Sequence, residues 1–437
     1  MRPQNSILPP PADWDFRGAD TKRLTHGLHP YPAMMIPQIA ERLIDRYGAR
    51  AKTLFDPYCG TGSSLLEANI HGIDAVGTDL NPLARMIARA KTVRLDCQKT
   101  DLYLRHVNER LFKERMNGAK PPPPPPVKNI DFWFSKKVQR ELAVARAVID
   151  EIADPDVRRF LLVGFGETAR ECSYTRNGEF KLYRMKAAQM ERFSPDVFGV
   201  LMAKLTRNFA AMKEYVSSVE NAGQTTVFDF NTVECIPADI LPPESVDIVV
   251  TSPPYGDSRT TVAYGQFSRM ANEWLGYEAA AAVDSQLMGG KTGRAANQND
   301  SESLGCGRLD DAVGRVEKQS AARAREIRSF YRDYRRSIAN VAAAVKAGGF
   351  ACYVVGNRKS KGVVLPTDAA TRAYFKENGF RRAGVFVRNI PNKRMPAKNS
   401  PSNVAGDCDA TMTQEHIIVM KKPAAGSVRR FNSSVAG

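Results

Sequence analysis

The chain has 437 residues, of which 43% are hydrophobic and 25% are charged, a composition typical of a globular protein with about two or three domains. Its 63 Lys and Arg residues outnumber its 47 Asp and Glu residues, and the net charge of +16 favours a polyanionic partner, although a generically basic surface would give the same value. No apolar run approaches ~18 residues, the first residues lack a signal-peptide core, and the seven cysteines form no C-x-x-C pair, so we expect a cytoplasmic protein without membrane spans, disulfides or bound metal.

The N-terminal part of the chain has the pattern of a β-α-β unit that follows a polar arm and a helix. Residues 1–25 are polar and Pro-rich, and apolar side chains then recur at helical spacing over residues 33–44. The next patterns predict a strand, a helix, a second strand and a second helix, at residues 52–55, 63–70, 75–78 and 83–91. Two strands joined by a helix are the unit from which doubly wound α/β sheets are built.

A glycine-rich turn follows the first predicted strand, in the segment Asp56-Pro57-Tyr58-Cys59-Gly60-Thr61-Gly62. Glycines let a ligand approach the backbone at a helix N-terminus, and Asp79, at the end of the next strand, is placed to accept ribose hydroxyls. The spacing therefore predicts a cofactor site. Leu65 occupies the position where a nicotinamide-binding turn needs a third small residue, and with Phe55-Asp56-Pro57 before the glycines the turn resembles an S-adenosylmethionine site instead.

The middle of the chain, residues 96–224, lacks the alternation of strands and helices. Six consecutive prolines at 121–126 predict a stiff extended stretch, and helical patterns cover residues 137–152 and 196–219. Between these two helices, residues 170–184 interleave arginines with aromatic side chains around an Asn-Gly turn. This segment either contacts a nucleic-acid backbone and its bases or forms a solvated hairpin, and the pattern favours neither.

The strand pattern resumes in the C-terminal half and leads to the segment Ser252-Pro253-Pro254-Tyr255. A strand is predicted at residues 225–230, and the β-branched run at 246–250 predicts a buried strand that the two prolines end.

The patterns after this segment predict a long loop, a helix and three strands. The loop covers residues 283–310, and the helix covers 313–345, with an apolar core-facing stripe and arginines that either bind a polyanion or are its solvated face. The three strands are predicted at residues 350–355, 384–387 and 416–420.

Four motifs taken together resemble those of the DNA amino-methyltransferase family: His29-Pro30-Tyr31-Pro32, the glycine-rich turn, Asp79 and Ser252-Pro253-Pro254-Tyr255. Members of that family transfer a methyl group from S-adenosylmethionine to cytosine N4 or adenine N6. The resemblance implies an α/β fold with the Rossmann-like seven-stranded sheet of class I methyltransferases, and seven candidate strands are present.

The resemblance also implies a division of the chain. Residues 1–95 would form the cofactor-binding part, and residues 225–422 the part that holds the catalytic motif and the loop at 283–310. Residues 96–224 would be a mainly helical insertion that could contact DNA, and residues 423–437 a disordered tail.

Roles for individual residues follow from the same resemblance. The residues that would cradle the cofactor are Asp56, Gly60, Thr61 and Gly62. Asp79 would bind its ribose, and His29 and Tyr31 would lie near its methionine end. Asp229 would lie near the adenine, with Asp239 as a rival. The catalytic residues would be Ser252, Pro253, Pro254 and Tyr255.

These residue types fit the methylation of an amine. An exocyclic amine is a poor nucleophile because its lone pair is delocalised into the ring. Acceptors at the Ser252 hydroxyl and the Pro253 carbonyl would draw on the N–H bonds, localise the lone pair and direct it at the methyl sulfonium. The Tyr255 ring would stack on a base flipped out of the duplex. Carbon-5 methylation needs a cysteine nucleophile after a proline, and the chain contains no Pro-Cys dipeptide.

The acceptor base and the partners are predicted less directly. A serine at the head of the S-P-P-Y motif resembles the cytosine-N4 branch, whereas Asp or Asn is commoner in the adenine-N6 branch, so cytosine N4 is favoured. The expected partners are double-stranded DNA and a cognate restriction endonuclease. The alternatives are an adenine-N6 DNA methyltransferase, an RNA methyltransferase with the same motif, and an inactive nucleic-acid-binding regulator.

Overall fold

The computed structural model describes residues 13–117, 121–176, 178, 180–256, 262–278, 282–290, 302–390, 398–399, 409–410 and 412–424. The expectations for the start of the arm, for the centre of the loop at 283–310 and for most of the tail lie outside these residues. None of the helices in the described part of the chain combines the length and apolar character that a membrane span requires.

A seven-stranded sheet forms the centre of the fold, as the sequence predicts. Its strands are β1 (Thr53–Asp56), β2 (Asp74–Thr78), β3 (Thr225–Phe228), β4 (Val246–Thr251), β5 (Val345–Val355), β6 (Arg381–Asn389) and β7 (Gln414–Lys421). They are ordered β3-β2-β1-β4-β5-β7-β6 across the sheet. The first five strands in this order are parallel, and β7 is antiparallel to both of its neighbours.

Helices cover both faces of the sheet. The first nine are α1 (Pro37–Tyr47), α2 (Ser63–Ile70), α3 (Pro82–Thr92), α4 (Cys97–Asn117), α5 (Ile130–Trp133), α6 (Lys136–Asp150), α7 (Pro155–Glu171), α8 (Ala187–Glu191) and α9 (Val197–Ser218). The others are α10 (Tyr264–Trp274), α11 (Val283–Gln286), α12 (Gly307–Glu317), α13 (Ala321–Ala344) and α14 (Thr367–Glu377).

Strand β4 shows why its sequence is almost continuously apolar. Val246 and Val249 belong to the same buried cluster as the apolar side of α13, whereas Ile248 and Val250 belong to the cluster that contains the apolar side of α1. Both faces of the strand are therefore buried, as is usual for parallel sheets covered by helices. This packing fixes the position of the residues that follow Thr251.

The helices of the middle segment have an apolar core of their own. Side chains of α4, α6, α7 and α9 pack there with Leu83 and Ile87 of α3 and with Met270 of α10. The helical character predicted for residues 96–224 is confirmed, and the segment is joined to the sheet through α3 and α10. Its status as a separate insertion stays a prediction.

Two predicted helices differ from the observed ones at their ends. The predicted helix at 33–44 begins only at Pro37, because proline is favoured in the first turn of a helix and Ile36 before it is extended. The single helix predicted at 313–345 is wrong, since the structure has α12 and α13 there. Ser320 begins α13 as its N-cap, with its hydroxyl accepting a hydrogen bond from the Arg323 N–H at 3.3 Å.

Candidate active site

A cleft lies where β1, β2 and β4 end, next to the point at which the strand order reverses. The chain leaves β1 towards β2 and β3 on one side and later enters β4 on the other, and open α/β sheets bind ligands at such a point. The cleft has about 680 Å³ of empty volume, part of it open to solvent. Its lining comes from residues 31–35, from most of 56–64, and from Asp79, Asn81, Ser252, Pro254, Tyr264 and Leu287.

The Asp79 carboxylate joins the two loops that follow β1 and β2. It accepts hydrogen bonds from the Gly60 N–H at 3.0 Å and from the Asn81 N–H at 2.7 Å. Burial raises the pKa of Asp79, although both N–H groups favour its charged form. A carboxylate has about four acceptor positions, so two remain for a ligand in the cleft.

Gly60 and Gly62 serve different purposes in the glycine-rich turn. Both have positive φ, +50° and +78°, which other residues rarely adopt. A Cβ on Gly60 would meet no atom within 4 Å, so this residue presents bare backbone to the open cleft. A Cβ on Gly62 would lie 2.9 Å from the Ala88 Cβ, so this glycine allows α2 to begin directly against α3.

Asp56 connects the glycine-rich turn to the strand before the S-P-P-Y motif. Its carboxylate accepts hydrogen bonds from the Thr251 hydroxyl at 2.5 Å, from the Tyr58 N–H at 3.0 Å and from the Ser64 hydroxyl. Burial raises the pKa of Asp56 to about 6 against the opposing effect of these donors. The ends of β1 and β4 and the start of α2 are thus held together by one side chain.

The S-P-P-Y segment places Ser252 and Pro254 in the cleft and Tyr255 behind them. The Ser252 Oγ lies 3.2 Å from the Tyr255 hydroxyl, which donates a hydrogen bond to Glu415 Oε1 at 2.9 Å. Arg388 Nη1 donates to the other oxygen of Glu415 at 2.7 Å. Neither Pro253 nor Tyr255 is among the described residues that line the cleft. Glu415 and Arg388 come from β7 and β6, far from the motif in sequence, and no local pattern indicated them.

Asn81 organises the aromatic side of the cleft, and the sequence analysis gave it no role. Its side-chain Nδ2 donates to the Tyr31 hydroxyl at 2.8 Å and to the Ser268 hydroxyl at 2.9 Å, while its Oδ1 accepts from the Leu83 N–H at 3.2 Å as the N-cap of α3. Tyr31 stacks on Tyr264, with ring centroids 6.0 Å apart and an interplanar angle of 22°. The Asn-Pro dipeptide at the start of α3 was the available signal.

Three of the predicted cofactor residues lie away from the cleft lining. His29 is buried, its Nδ1 donates to the Pro30 carbonyl at 2.5 Å, its Nε2 has no partner, and burial lowers the pKa of its imidazole to about 4. The Asp229 side chain is 76% exposed and lies 3.6 Å from Arg85, and its rival Asp239 is exposed as well. Gly62 supports the turn from behind.

Comparison with known proteins places this cleft in context. The chain is 36% identical over 422 residues to the Type II methyltransferase M.MvaI of Kocuria varians, and the match covers 93% of each chain. A shorter match, 35% identical over 92 residues, covers 20% of this chain and 17% of the Type II methyltransferase M.MjaII of Methanocaldococcus jannaschii. No family model matches the chain.

One solved structure was compared with this fold. The rRNA methyltransferase aviRa from Streptomyces viridochromogenes is 12% identical, with a TM-score of 0.30, over 90% of this chain and 88% of that one.

Proposed function

Because this chain belongs to the Type II methyltransferase family of S-adenosylmethionine-dependent DNA methyltransferases, we propose that it methylates the exocyclic N4 amine of cytosine in double-stranded DNA. One observation carries this proposal: Ser252 lines the same cleft as Gly60 and Asp79, so an amine held by the S-P-P-Y segment would meet a cofactor held by the glycine-rich turn. The Type II relatives also support a place in a restriction-modification system.

The residues of the cleft fit S-adenosylmethionine. The bare backbone of Gly60 lets an adenosine approach closely, and the remaining acceptor positions of Asp79 suit ribose hydroxyls. When bound, the cofactor supplies a methyl group activated by its positive sulfonium. Thr61 and Tyr31 would complete the cradle, whereas Asp56 would act by holding the turn in place.

The S-P-P-Y segment would position and activate the amine. Tyr255 gives its only hydroxyl hydrogen to Glu415, so the 3.2 Å contact between the two hydroxyls is donated by Ser252. The Ser252 oxygen then has lone pairs, and no hydrogen, to offer to the cleft. Together with the Pro253 carbonyl it would accept both N–H groups of the amine, localise the nitrogen lone pair and orient it, and Pro254 would restrict the backbone.

A hairpin in the helical segment is the favoured DNA contact. The hairpin at residues 175–184 is closed by a bridge between Thr175 and Arg184, and the Arg184 guanidinium lies 4.0 Å from the ring centroid of Phe132. Phe180 and Tyr183 are 40% and 43% exposed. Exposed aromatic rings beside cations suit both stacking on bases and contact with phosphates.

The hairpin is also connected to the cleft through aromatic rings. The Phe180 ring lies 6.1 Å from Phe267, which in turn lies 5.6 Å from Tyr31 in the cleft lining. On α13, by contrast, Arg328 and Arg335 are paired with Glu317 and Glu377. Their pairing with these carboxylates leaves the two arginines less available to DNA phosphates.

The product identifies the acceptor. Purified protein would be incubated with isotope-labelled S-adenosylmethionine and duplex DNA or RNA, and the nucleosides would be analysed by mass spectrometry. Labelled N4-methylcytosine in DNA supports the proposal. Labelled N6-methyladenine moves the enzyme to the adenine branch, and a labelled RNA product, or no product from protein that binds the cofactor, refutes it.

A further inference from the structure

Lys91 is a buried cation directly behind the glycine-rich turn. It lies at the end of α3, is 0% exposed, and donates a hydrogen bond to the Thr61 hydroxyl oxygen at 3.1 Å. No carboxylate of the described residues forms an ion pair with it. The buried carboxylate of Glu67 on α2 is instead paired with Arg23 and His26.

A buried ammonium without a counter-charge is unusual. Burying a charge is expensive unless the charge is paired, and burial alone lowers the pKa of Lys91 to about 7. Lys91 lowers the pKa of the neighbouring His26 and His29, as a nearby positive charge does, whereas buried glutamates act on them in the opposite direction. Lys91 is thus a buried cation without a direct counter-charge among the described residues.

The cleft meets this buried cation at Thr61. Thr61 lines the cleft and lies two residues before Ser63, where α2 begins, so the N–H groups of a helix N-terminus point to the same place. The Thr61 hydroxyl accepts from Lys91 and donates to the Met34 Sδ at 3.1 Å. A thioether is a weak acceptor, so an anion in the cleft would be a better partner for this hydroxyl.

We propose that Lys91, acting through the Thr61 hydroxyl, makes this end of the cleft selective for the α-carboxylate of the cofactor's methionine group. The inference rests on the cofactor placement of the proposed function, since ribose hydroxyls at Asp79 leave the methionine group to extend past Thr61. Lys91 is a positioning residue, because its ammonium polarises and aims the hydroxyl that meets the ligand.

The test compares two ligands by isothermal titration calorimetry. Decarboxylated S-adenosylmethionine keeps the adenosine, the sulfonium and the amine and lacks only the carboxylate. Wild-type protein should bind S-adenosylmethionine about tenfold or more tightly than this analogue, as for a charge-assisted hydrogen bond. Lys91→Met and Thr61→Val should each remove this preference by weakening S-adenosylmethionine binding alone, and the double variant should be no weaker than either single variant, because both act through one contact.

Controls separate this role from a structural one. Lys52 is exposed, so Lys52→Met removes a positive charge from the surface and should change neither affinity. Equal weakening of both ligands in a folded Lys91→Met variant would show that Lys91 only supports the turn, and the inference would be wrong. The wild-type comparison needs no variant: equal affinity for the two ligands refutes the carboxylate contact, whereas no binding of either refutes the cofactor placement itself.

Discussion

The Tyr255 hydroxyl donates a hydrogen bond to Glu415 Oε1 at 2.9 Å, and Glu415 is held in turn by Arg388. A carboxylate can only accept, so this contact sets the direction of every hydrogen bond that leads back to Ser252. Burial and the nearby Glu415 charge raise the pKa of Tyr255, which keeps its phenol protonated. The acceptor character of Ser252 thus depends on a residue from the last strand of the sheet.

Tyr255→Phe should therefore slow methyl transfer without loss of cofactor affinity. The ring is kept, but the Ser252 hydroxyl loses its acceptor and is free to turn its hydrogen towards the amine. We expect the single-turnover rate to fall about tenfold, close to the contribution of one hydrogen bond. Tyr255→Ala and Ser252→Ala should cost more, because the ring or the acceptor itself is lost. An unchanged rate in Tyr255→Phe would exclude a role for the hydrogen bond between Ser252 and Tyr255 in catalysis. The affinity for S-adenosylmethionine, measured in parallel, controls for damage to the fold.

Asp79→Ala should weaken S-adenosylmethionine binding by about 1–3 kcal/mol, the usual size for a lost bond to a charged group. The matched control is Asp229→Ala, which removes an exposed carboxylate outside the cleft lining and should leave the affinity within about 0.5 kcal/mol of wild type. Calorimetry on both folded variants decides the assignment. Equal affinity of Asp79→Ala and wild type, or the larger loss in Asp229→Ala, would contradict it.

The free energy of unfolding of the ligand-free protein should increase with pH because of the titration of Lys91. Burial lowers the pKa of Lys91 to about 7, well below the value of about 10.4 for an exposed lysine. Between these two values the unfolded state binds a proton that the folded state does not, so stability increases as pH rises and is lost as pH falls towards 7.

Lys91→Met should accordingly be more stable than wild type at pH 7. The difference should shrink by at most about 1.4 kcal/mol per pH unit as the pH is raised towards 10. Urea unfolding of both proteins at pH 7, 8 and 9 measures it. A difference that does not vary with pH would show that the folded protein does not lower the pKa of Lys91.

Affinity for DNA should depend on the hairpin at residues 175–184. Arg184→Ala and Phe180→Ala should each weaken duplex binding, and Arg184→Ala should also flatten the plot of log K against log salt. Arg335→Ala removes an arginine that is paired with Glu377 on α13 and should change DNA affinity much less. Fluorescence anisotropy over a range of salt concentrations distinguishes them. If Arg335→Ala has the larger effect, DNA binds at α13 and not at the hairpin.

The parts of the candidate site that the sequence brought together are those defined by local patterns. Gly60, Asp79 and Ser252 each lie within four residues of the end of a strand that the sequence pattern predicts, so their meeting at one edge follows from the parallel sheet. Asn81 and Glu415 were missed because their partners lie 50 and 160 residues away in sequence. Contacts between residues so far apart in sequence can be predicted only when the order of the strands in the sheet is known.

Burial is a second feature that the sequence did not indicate. The sequence analysis placed His29 near the cofactor from its neighbours in the motif, yet the ring is buried against Phe267. The sequence analysis gave Lys91 no role, because a lysine at the end of an amphipathic helix is normally exposed. Only the packing of α3 against the segment that contains Thr25, whose hydroxyl donates to the Lys91 carbonyl at 2.7 Å, shows that it is enclosed.

The position of β7 has a consequence for the synthesis of the protein. It is the last strand in the part of the chain that the structure describes, yet it lies between β5 and β6 and pairs with both. While the chain is still being translated, β5 has an open edge, β6 has no neighbour to join, and Tyr255 has no Glu415. A product that terminates before Gln414 is therefore expected to be both inactive and prone to aggregate through the open edge of β5. The enzyme should become able to modify DNA only when β7 has left the ribosome.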